Sequence, residues 1–197
     1  MKIAHIITSL DIGGAELVLY RLLMAQPDNT ANVSVISLRP EGALAAKLRE
    51  KGFNVYSLNV TGLFSLISAV SKLVQLLKVL KPEIVQSWLY HADLVASLAS
   101  LRLDNIRYVW GIHTCQLPQR KPLTWLIMKF CAFLSHRVPE KIVCVANSAK
   151  QLHLSNGYAA EKLEVIPNGF AVADYQPGPT VAVRNALRHA LDLPLSA

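Results

Sequence analysis

The chain has 197 residues, which suits one domain of good size with a short appendage. It is 52% hydrophobic and 17% charged, and 20 basic residues against 13 acidic ones give a formal net charge of +7. This balance favours anionic partners, but the basic residues are dispersed along the chain, which argues against a nucleic-acid-binding protein. Three widely spaced cysteines without a CxxC pair disfavour a zinc site and are typical of a reducing cytoplasm.

No apolar segment of the chain reaches the length of a membrane-spanning helix. The longest, LTWLIMKFCAFL, has 12 residues and contains Lys129, whereas a spanning helix needs about 20. The opening residues MKIAHIITSLDIGG lack the apolar core and cleavage site of a signal peptide. We therefore expect a cytoplasmic protein that is soluble or, at most, peripherally attached to the inner face of a membrane.

Short apolar runs alternate with helical patterns along the chain. The predicted strands are 2–7, 32–38, 54–58, 83–87, 107–112, 141–146 and 163–166. The predicted helices lie near 14–26, 42–51, 65–80, 90–102, 122–137 and 148–157, with a last helical pattern in VAVRNALRHALDLP. This alternation predicts an α/β fold: a Rossmann-like, doubly wound parallel sheet of about seven strands with helices on both faces.

The composition changes near the end of the chain. The stretch IPNGFAVADYQPGPT is rich in proline and glycine, which indicates a linker. We therefore expect one domain over residues 1–170. Residues 171–197 are then interpreted as the linker and the first helix of a second domain that this chain does not contain.

Two glycines follow the first predicted strand and precede the first helix. Either a tight turn requires Gly13 and Gly14, or their bare backbone lets an anionic ligand approach the helix N-terminus. Both explanations can hold together. Glu16, in the first turn, suits the helix dipole whether or not it binds a ligand.

Polar side chains follow three further strands, at the edge where a doubly wound sheet binds ligands. Tyr90 and His91 follow the fourth strand, and His113 follows the fifth. Asn147 and Ser148 follow the sixth, where such residues also cap helices. Each of these residues also has a structural explanation: it caps a helix, packs against neighbouring side chains or forms hydrogen bonds that hold a loop. Together they favour a polar, phosphorylated ligand.

The order of these motifs resembles the N-terminal domain of the GT-B glycosyltransferases, in the large retaining group often called family 4. The matching stretches, over roughly residues 1–178, are SLDIGGAE, LKPEIVQSWLYHADLVAS, GIHT and KIVCVANSAKQLHLSNGYAAEKLEVIPNGFAVADYQP. The resemblance implies transfer of a sugar from a nucleotide-sugar donor to a glycan, lipid-linked or small-molecule acceptor in polysaccharide biosynthesis. It implies retention at the anomeric carbon, with no metal and no cofactor besides the nucleotide-sugar co-substrate.

The resemblance also implies roles for residues at the sheet edge. It places His113 beside the transferred sugar as the catalytic residue. It implies that the backbone at Gly13 and Gly14 approaches the donor diphosphate or the acceptor. The predicted substrate-binding residues are Gly13, Gly14, Glu16, Tyr90, His91, Asn147, Ser148 and Asn168. Since the second domain holds most of the donor in that family, we expect these 197 residues alone to be inactive.

Two alternatives to this function stay open. One is a non-catalytic module that binds a nucleotide or phosphorylated sugar. The other, an oxidoreductase, is disfavoured because the first loop carries Gly-Gly rather than GxGxxG, and no acidic residue ends the second strand.

A separate hypothesis concerns the segment PQRKPLTWLIMKFCAFLSHR. Its aromatic side chains and its basic residues Arg120, Lys121, Lys129 and Arg137 are compatible with docking on an anionic membrane. The alternative is a buried core helix with charged ends.

Overall fold

The computed structural model describes residues 1–60, 65–118, 122–170 and 181–194. Its strands are β1 (Ile3–Ile7), β2 (Val33–Ser37), β3 (Asn54–Ser57), β4 (Ile84–Trp88), β5 (Arg107–Ile112), β6 (Lys141–Cys144) and β7 (Leu163–Val165). Its α-helices are α1 (Gly14–Met24), α2 (Ala43–Glu50), α3 (Ser65–Leu80), α4 (Tyr90–Ser100), α5 (Pro122–Ser135), α6 (Asn147–Leu154) and α7 (Val181–Ala190). Two short 3-10 helices, Pro27–Asn32 and Ala160–Lys162, were not predicted.

The strands form one parallel sheet of seven strands in the order β3-β2-β1-β4-β5-β6-β7. The predicted doubly wound fold is therefore confirmed, with the ends of its elements within four residues of the predicted ones. The chain reverses direction across the sheet between β1 and β4, which is the point where such sheets bind ligands. The central strand β1 shows why the sheet forms, since Ala4, Ile6 and Ile7 are apolar and completely buried.

The helices cover the two faces of the sheet unequally. Helices α3, α4, α5 and α6 pack on one face, where α4 lies between α3 and α5. Helices α1 and α2 pack on the other face, mainly over β1 and β2. On that face Gln86, Val109 and Val143 stay only partly buried. The fold thus leaves part of the β4–β6 surface open beside α1.

The residues after 170 were predicted to lie outside the first domain. Most of the predicted linker, residues 171–180, lies outside the described residues, and α7 follows it with none of its residues buried. The division at residue 170 stays a prediction. None of the described helices combines the length and apolarity needed to cross a membrane.

Helix α5 contains the described part of the segment for which docking on a membrane was considered. One side of this helix is buried at Met128, and the other side exposes Leu126 and Phe133. Arg120 and Lys121 lie outside the described residues, and docking on a membrane stays a prediction.

Candidate active site at the switch point

The loops that follow β1, β4 and β5 form the candidate site, because these three strands are adjacent and end at the same edge of the sheet. Neighbouring strands lie about 4.8 Å apart, so the ends of β1 and β5 are separated by about 10 Å. Gly13 ends the first of these loops, Gly14 begins α1, and His113 lies directly after β5. We call this edge the rim.

The structure shows that the first turn does not itself need glycine. Gly13 has φ −152° and ψ 174°, an extended conformation open to any residue. A β-carbon there would overlap the carboxylate of Glu16, a flexible side chain that can move aside, and one on Gly14 would have no heavy atom within 4 Å. The expectation that the glycines make the turn is therefore wrong. The other explanation, that a ligand approaches the N-terminus of α1, stays a prediction.

A third glycine, which the sequence analysis missed, holds the first loop in place. A β-carbon on Gly42 would overlap the backbone of Leu10 and Asp11. The amide of Leu44 also donates a hydrogen bond of 2.9 Å to the Leu10 carbonyl. The start of α2 therefore supports the glycine loop. Glycine is required at position 42 only because of this contact with residues distant in sequence. The residues next to Gly42 therefore could not indicate it.

His113 is partly buried and lies flat against Trp88. The ring centroids are 4.7 Å apart and the planes differ by 21°. Burial lowers the pKa of His113 from 6.5 to about 4, so the ring is neutral at pH 7. Among the described residues no group hydrogen-bonds to this ring. Its nitrogens are thus available to a ligand at the rim.

Trp88 is fixed in turn by a buried histidine. The Trp88 Nε1–H donates a hydrogen bond of 3.2 Å to Nδ1 of His5. Burial lowers the pKa of His5 to about 4, so the ring is neutral, and the bond from Trp88 selects the tautomer in which Nδ1 is unprotonated. The hydrogen bond between His5 and Trp88 and the stack of Trp88 on His113 thus fix the position of the His113 ring. The sequence analysis missed His5 and Trp88, because they act through another side chain.

The backbone between β4 and α4 is strained. Leu89 has φ 70° and ψ 155°, a region that residues other than glycine rarely adopt. Its amide donates a 3.1 Å hydrogen bond to the Gly111 carbonyl, and its carbonyl accepts a 3.0 Å bond from the Asp93 amide. Strain of this kind concentrates at functional sites and costs about 1–3 kcal/mol. The strained residue, Leu89, lies between Trp88, which is at the rim, and Tyr90.

The structure does not bring the Tyr90 side chain to the rim. Tyr90 is buried under α5 and α6, and its hydroxyl lies 2.6 Å from Nε2 of His153. Since Nδ1 of His153 donates to the Ala149 carbonyl at 2.7 Å, Nε2 accepts the Tyr90 proton. His91 follows in the first turn of α4 and is partly buried.

The remaining predicted residues lie along the same edge, with Glu16 in the first turn of α1 and the others further from the switch point. Asn147 and Ser148 are exposed in the first turn of α6, where Ala146 occupies the cap position, so they do not cap this helix. Glu16 is partly buried, and its carboxylate accepts a 3.5 Å hydrogen bond from the Ser9 hydroxyl. Asn168 is partly buried after β7.

A groove of about 830 Å³ extends from the rim over the open part of the sheet. Its floor contains Trp88 and Val109, and helix α1 and residues 166–170 form its walls. Of the predicted site residues, His113 and Asn168 line this groove. The Arg21 guanidinium lies 4.8 Å from the centre of the Phe170 ring. In the described parts of the chain, no three His, Cys, Asp or Glu side chains gather as metal ligands.

A model of the family described as Glycosyltransferase Family 4 matches residues 12–174 of this chain. A comparison with curated protein sequences gave no match.

Solved structures share the fold at low sequence identity. Anabaena Alr3699/HepE in complex with UDP has a TM-score of 0.77 and 23% identity, over 98% of this chain and 50% of that one. A glycosyltransferase from Rickettsia africae has a TM-score of 0.66 and 17% identity, over 98% and 50%. UDP-N-acetylglucosamine 2-epimerase from Rickettsia bellii has a TM-score of 0.63 and 16% identity, over 98% and 52%. The chain thus spans about half the length of the structures that it matches.

Proposed function

The chain belongs to Glycosyltransferase Family 4, and we propose that it is the acceptor-side domain of a retaining, metal-independent enzyme. The enzyme transfers a sugar from a nucleotide-sugar donor to an acceptor hydroxyl. Two similar structures support the donor class, because Anabaena HepE was crystallised with UDP and with UDP-glucose. The proposed acceptor is a glycan, a lipid-linked sugar or a small molecule.

The observation that carries this proposal is that the backbone of the turn does not require glycine at Gly13, and that nothing packs against Gly14. Gly13 is extended, and a β-carbon would displace the movable Glu16 carboxylate at Gly13 and meet no heavy atom within 4 Å at Gly14. Glycine inside a helix also costs stability relative to alanine. A bare helix N-terminus, with amide groups pointing outward and a positive dipole end, favours a phosphate group. There the amides would stabilise the negative charge that develops on the departing nucleoside diphosphate.

We assign His113 to the transferred sugar. A neutral imidazole with unpaired nitrogens can donate a hydrogen bond to a sugar hydroxyl. It does so without adding positive charge beside an anomeric carbon that is already electron-poor in the transition state. The stack on Trp88 holds the ring in one orientation. The Glu16 carboxylate, at the end of the glycine loop, is placed to accept hydrogen bonds from sugar hydroxyls.

The 197-residue chain alone is expected to bind nucleotide-sugars weakly and to give no turnover. One wall of a cleft cannot hold donor and acceptor together in a reactive geometry. Sugar transfer by this chain alone would contradict the interpretation as one half of an enzyme.

Amide NMR of the labelled chain, titrated with UDP-glucose, tests the site. The amides of Gly13, Gly14 and Glu16 should shift together with those next to His113. Gly14→Ala should weaken binding about tenfold, because the added methyl group blocks the approach. The same change should leave stability unchanged or raise it by up to about 1 kcal/mol, since alanine is the better helix former.

Leu17→Ala is the matched control, because Leu17 is exposed one turn further along α1. This variant should bind UDP-glucose like the wild type. Shifts that avoid the rim, or equal affinity of Gly14→Ala and the wild type, would contradict the proposed site. If UDP-glucose binds at the rim but no sugar is transferred, even when this domain is joined to a second, donor-binding domain, the alternative of a non-catalytic binding module would be favoured.

A further inference from the structure

Leu89, between β4 and α4, departs from two local preferences at once. Its φ of 70° and ψ of 155° lie in a region that is nearly confined to glycine, because a β-carbon is crowded there. It also occupies the N-cap position of α4 and forms no side-chain cap hydrogen bond, whereas serine, threonine, asparagine or aspartate would accept one from the helix amides. A leucine therefore makes this junction less stable than a residue suited to it would.

The other described residues with a positive φ, glycines apart, have local reasons for it. Asn59, Asn105 and Asp192 are of the two types that tolerate the left-handed region. Lys81, with φ 49°, directly follows α3, and helices commonly end in this conformation. Neither reason applies to Leu89, which begins a helix and has no polar side-chain atom.

Packing in the core does not explain the leucine either. The Leu89 side chain is partly buried. Within the described chain, however, Leu89 belongs to none of the three apolar clusters, neither as a buried member nor as a partly buried neighbour. The residues on either side of it, Trp88 and Tyr90, belong to clusters on opposite faces of the sheet. Leu89 thus lies between the layers, at the rim, and the core does not restore the stability that its backbone loses.

Two backbone hydrogen bonds hold Leu89 in the strained conformation. Its amide donates to the Gly111 carbonyl at 3.1 Å, and its carbonyl accepts from the Asp93 amide at 3.0 Å. Gly111 lies directly beneath His113, since a β-carbon on Gly111 would be 3.3 Å from Nε2 of that ring. Leu89 is therefore tied to the strand that carries His113.

The strand order places Leu89 between the two parts of the candidate site. Strand β4 lies between β1, which leads into the glycine loop, and β5, which ends at His113. Neighbouring strands are about 4.8 Å apart. A sugar whose phosphate lies at the N-terminus of α1 and whose hydroxyl reaches His113 would therefore cross the end of β4. This step rests on the proposed function.

We propose that the Leu89 side chain packs against the ring of the transferred sugar. A pyranose ring presents C–H groups on its faces and hydroxyls around its edge, so an aliphatic side chain removes one face from water. His113 and Glu16 are then left to the hydroxyls. Leu89 thus adds affinity for the sugar and none for the nucleotide.

NMR titrations of the labelled chain with UDP and, separately, with UDP-glucose test the proposal. Leu89→Ala keeps the β-carbon, and with it the strain, but removes the rest of the side chain. It should weaken UDP-glucose binding about fivefold, as expected for the loss of a partly buried aliphatic group, and leave UDP binding unchanged. Leu89→Met keeps an aliphatic side chain of similar volume and should restore affinity to within about twofold of the wild type.

Nuclear Overhauser effects give a direct readout of the contact. The methyl groups of Leu89 should show such effects to protons on the glucose ring and none to protons of the uracil base. Effects to uracil alone would contradict the proposed contact.

Glycine variants separate backbone strain from ligand contact. Leu89→Gly and Lys81→Gly each remove a β-carbon from a residue with positive φ, so each should melt at a higher temperature than the alanine variant of the same residue. Lys81 lies before β4, at the opposite end of that strand from the rim. Lys81→Gly should therefore bind UDP-glucose like the wild type, and Leu89→Gly should lose at least as much affinity as Leu89→Ala.

Failure of this inference differs from failure of the proposed function. If UDP-glucose does not shift the signals of Gly13, Gly14 and His113 in the wild type, the proposed function fails and the inference fails with it. If these signals shift, but Leu89→Ala keeps the wild-type ratio of UDP-glucose to UDP affinity, the proposed function stands and the inference is overturned. That result includes equal losses for both ligands, which would make Leu89 a scaffold residue.

Discussion

Two histidine–aromatic pairs lie on opposite sides of the sheet at the end of β4. Trp88 stacks on His113 beneath the rim, with the ring centroids 4.7 Å apart. Tyr90, two residues later, donates a 2.6 Å hydrogen bond to His153 inside the layer formed by α4, α5 and α6. The first pair leaves the ring nitrogens of its histidine available at the rim. The second uses both ring nitrogens for internal hydrogen bonds.

The difference shows that a polar residue after a strand acquires its role from the face to which it points. Trp88 and Tyr90 belong to one short segment, and the strained Leu89 separates them. The first packs with the α1 layer and the second with the α5 layer. The interior pair should therefore support folding, and the rim pair should support ligand binding. Substitutions at three positions can break or sharpen this division.

Tyr90→Ala should give the largest loss of stability. Removing a buried aromatic side chain leaves a cavity and should lower the free energy of unfolding by about 3–5 kcal/mol. Tyr90→Phe removes only the hydroxyl and leaves Nε2 of His153 unpaired, which should cost about 1–3 kcal/mol. Urea denaturation measures both. Affinity of the folded fraction for UDP-glucose should stay at the wild-type value, and a selective loss of binding would place Tyr90 in the site after all.

Asp93→Asn should change how stability depends on pH. Asp93 is completely buried beside Tyr90; its Oδ1 accepts a 2.6 Å bond from Ser87, and Oδ2 has no partner within the described chain. Burial raises the pKa of Asp93 well above its usual 3.8. The folded state therefore holds a proton that the unfolded state releases above pH 4, and stability falls as pH rises through this window. The loss is at most about 1.4 kcal/mol per pH unit.

The asparagine side chain does not ionise in this pH range. The free energy of unfolding of the variant, relative to that of the wild type, should therefore increase from pH 4 upward. Urea denaturation at a series of pH values measures the difference between the two proteins, in which the shared contributions of His5 and His113 cancel. A constant difference across the series would mean that the carboxyl group is ionised in the folded state.

His113→Ala should have the smallest effect on stability and a clear effect on binding. Loss of the stack on Trp88 should lower the free energy of unfolding by about 0.5–1.5 kcal/mol. The pKa of His113 is lowered from 6.5 to about 4, so the unfolded state binds the extra proton first and stability falls as pH drops from 6.5 towards 4. The alanine variant should lose part of this acid sensitivity. It should also weaken UDP-glucose binding, and unchanged affinity would make His113 a scaffold residue.

Local patterns predicted the elements of the fold well. Strands β1, β4 and β5 are apolar runs of five or six residues between helical patterns, and each formed within a residue of its predicted limits. The same patterns placed Gly13, Gly14 and His113 at one edge of the sheet. They could not show that Tyr90 turns inward, because this depends on the backbone angle of Leu89 and on His153, which is 63 residues away.

The sequence by itself determined the order of strands and helices, the parallel sheet and the edge at which the candidate site lies. It could do so because hydrophobic periodicity and right-handed crossovers are local or topological properties. The tertiary structure decided which glycines the backbone requires, which histidine is available, and which side of α5 faces solvent. Each of these depends on atoms that are distant in sequence and meet only when the layers pack against each other.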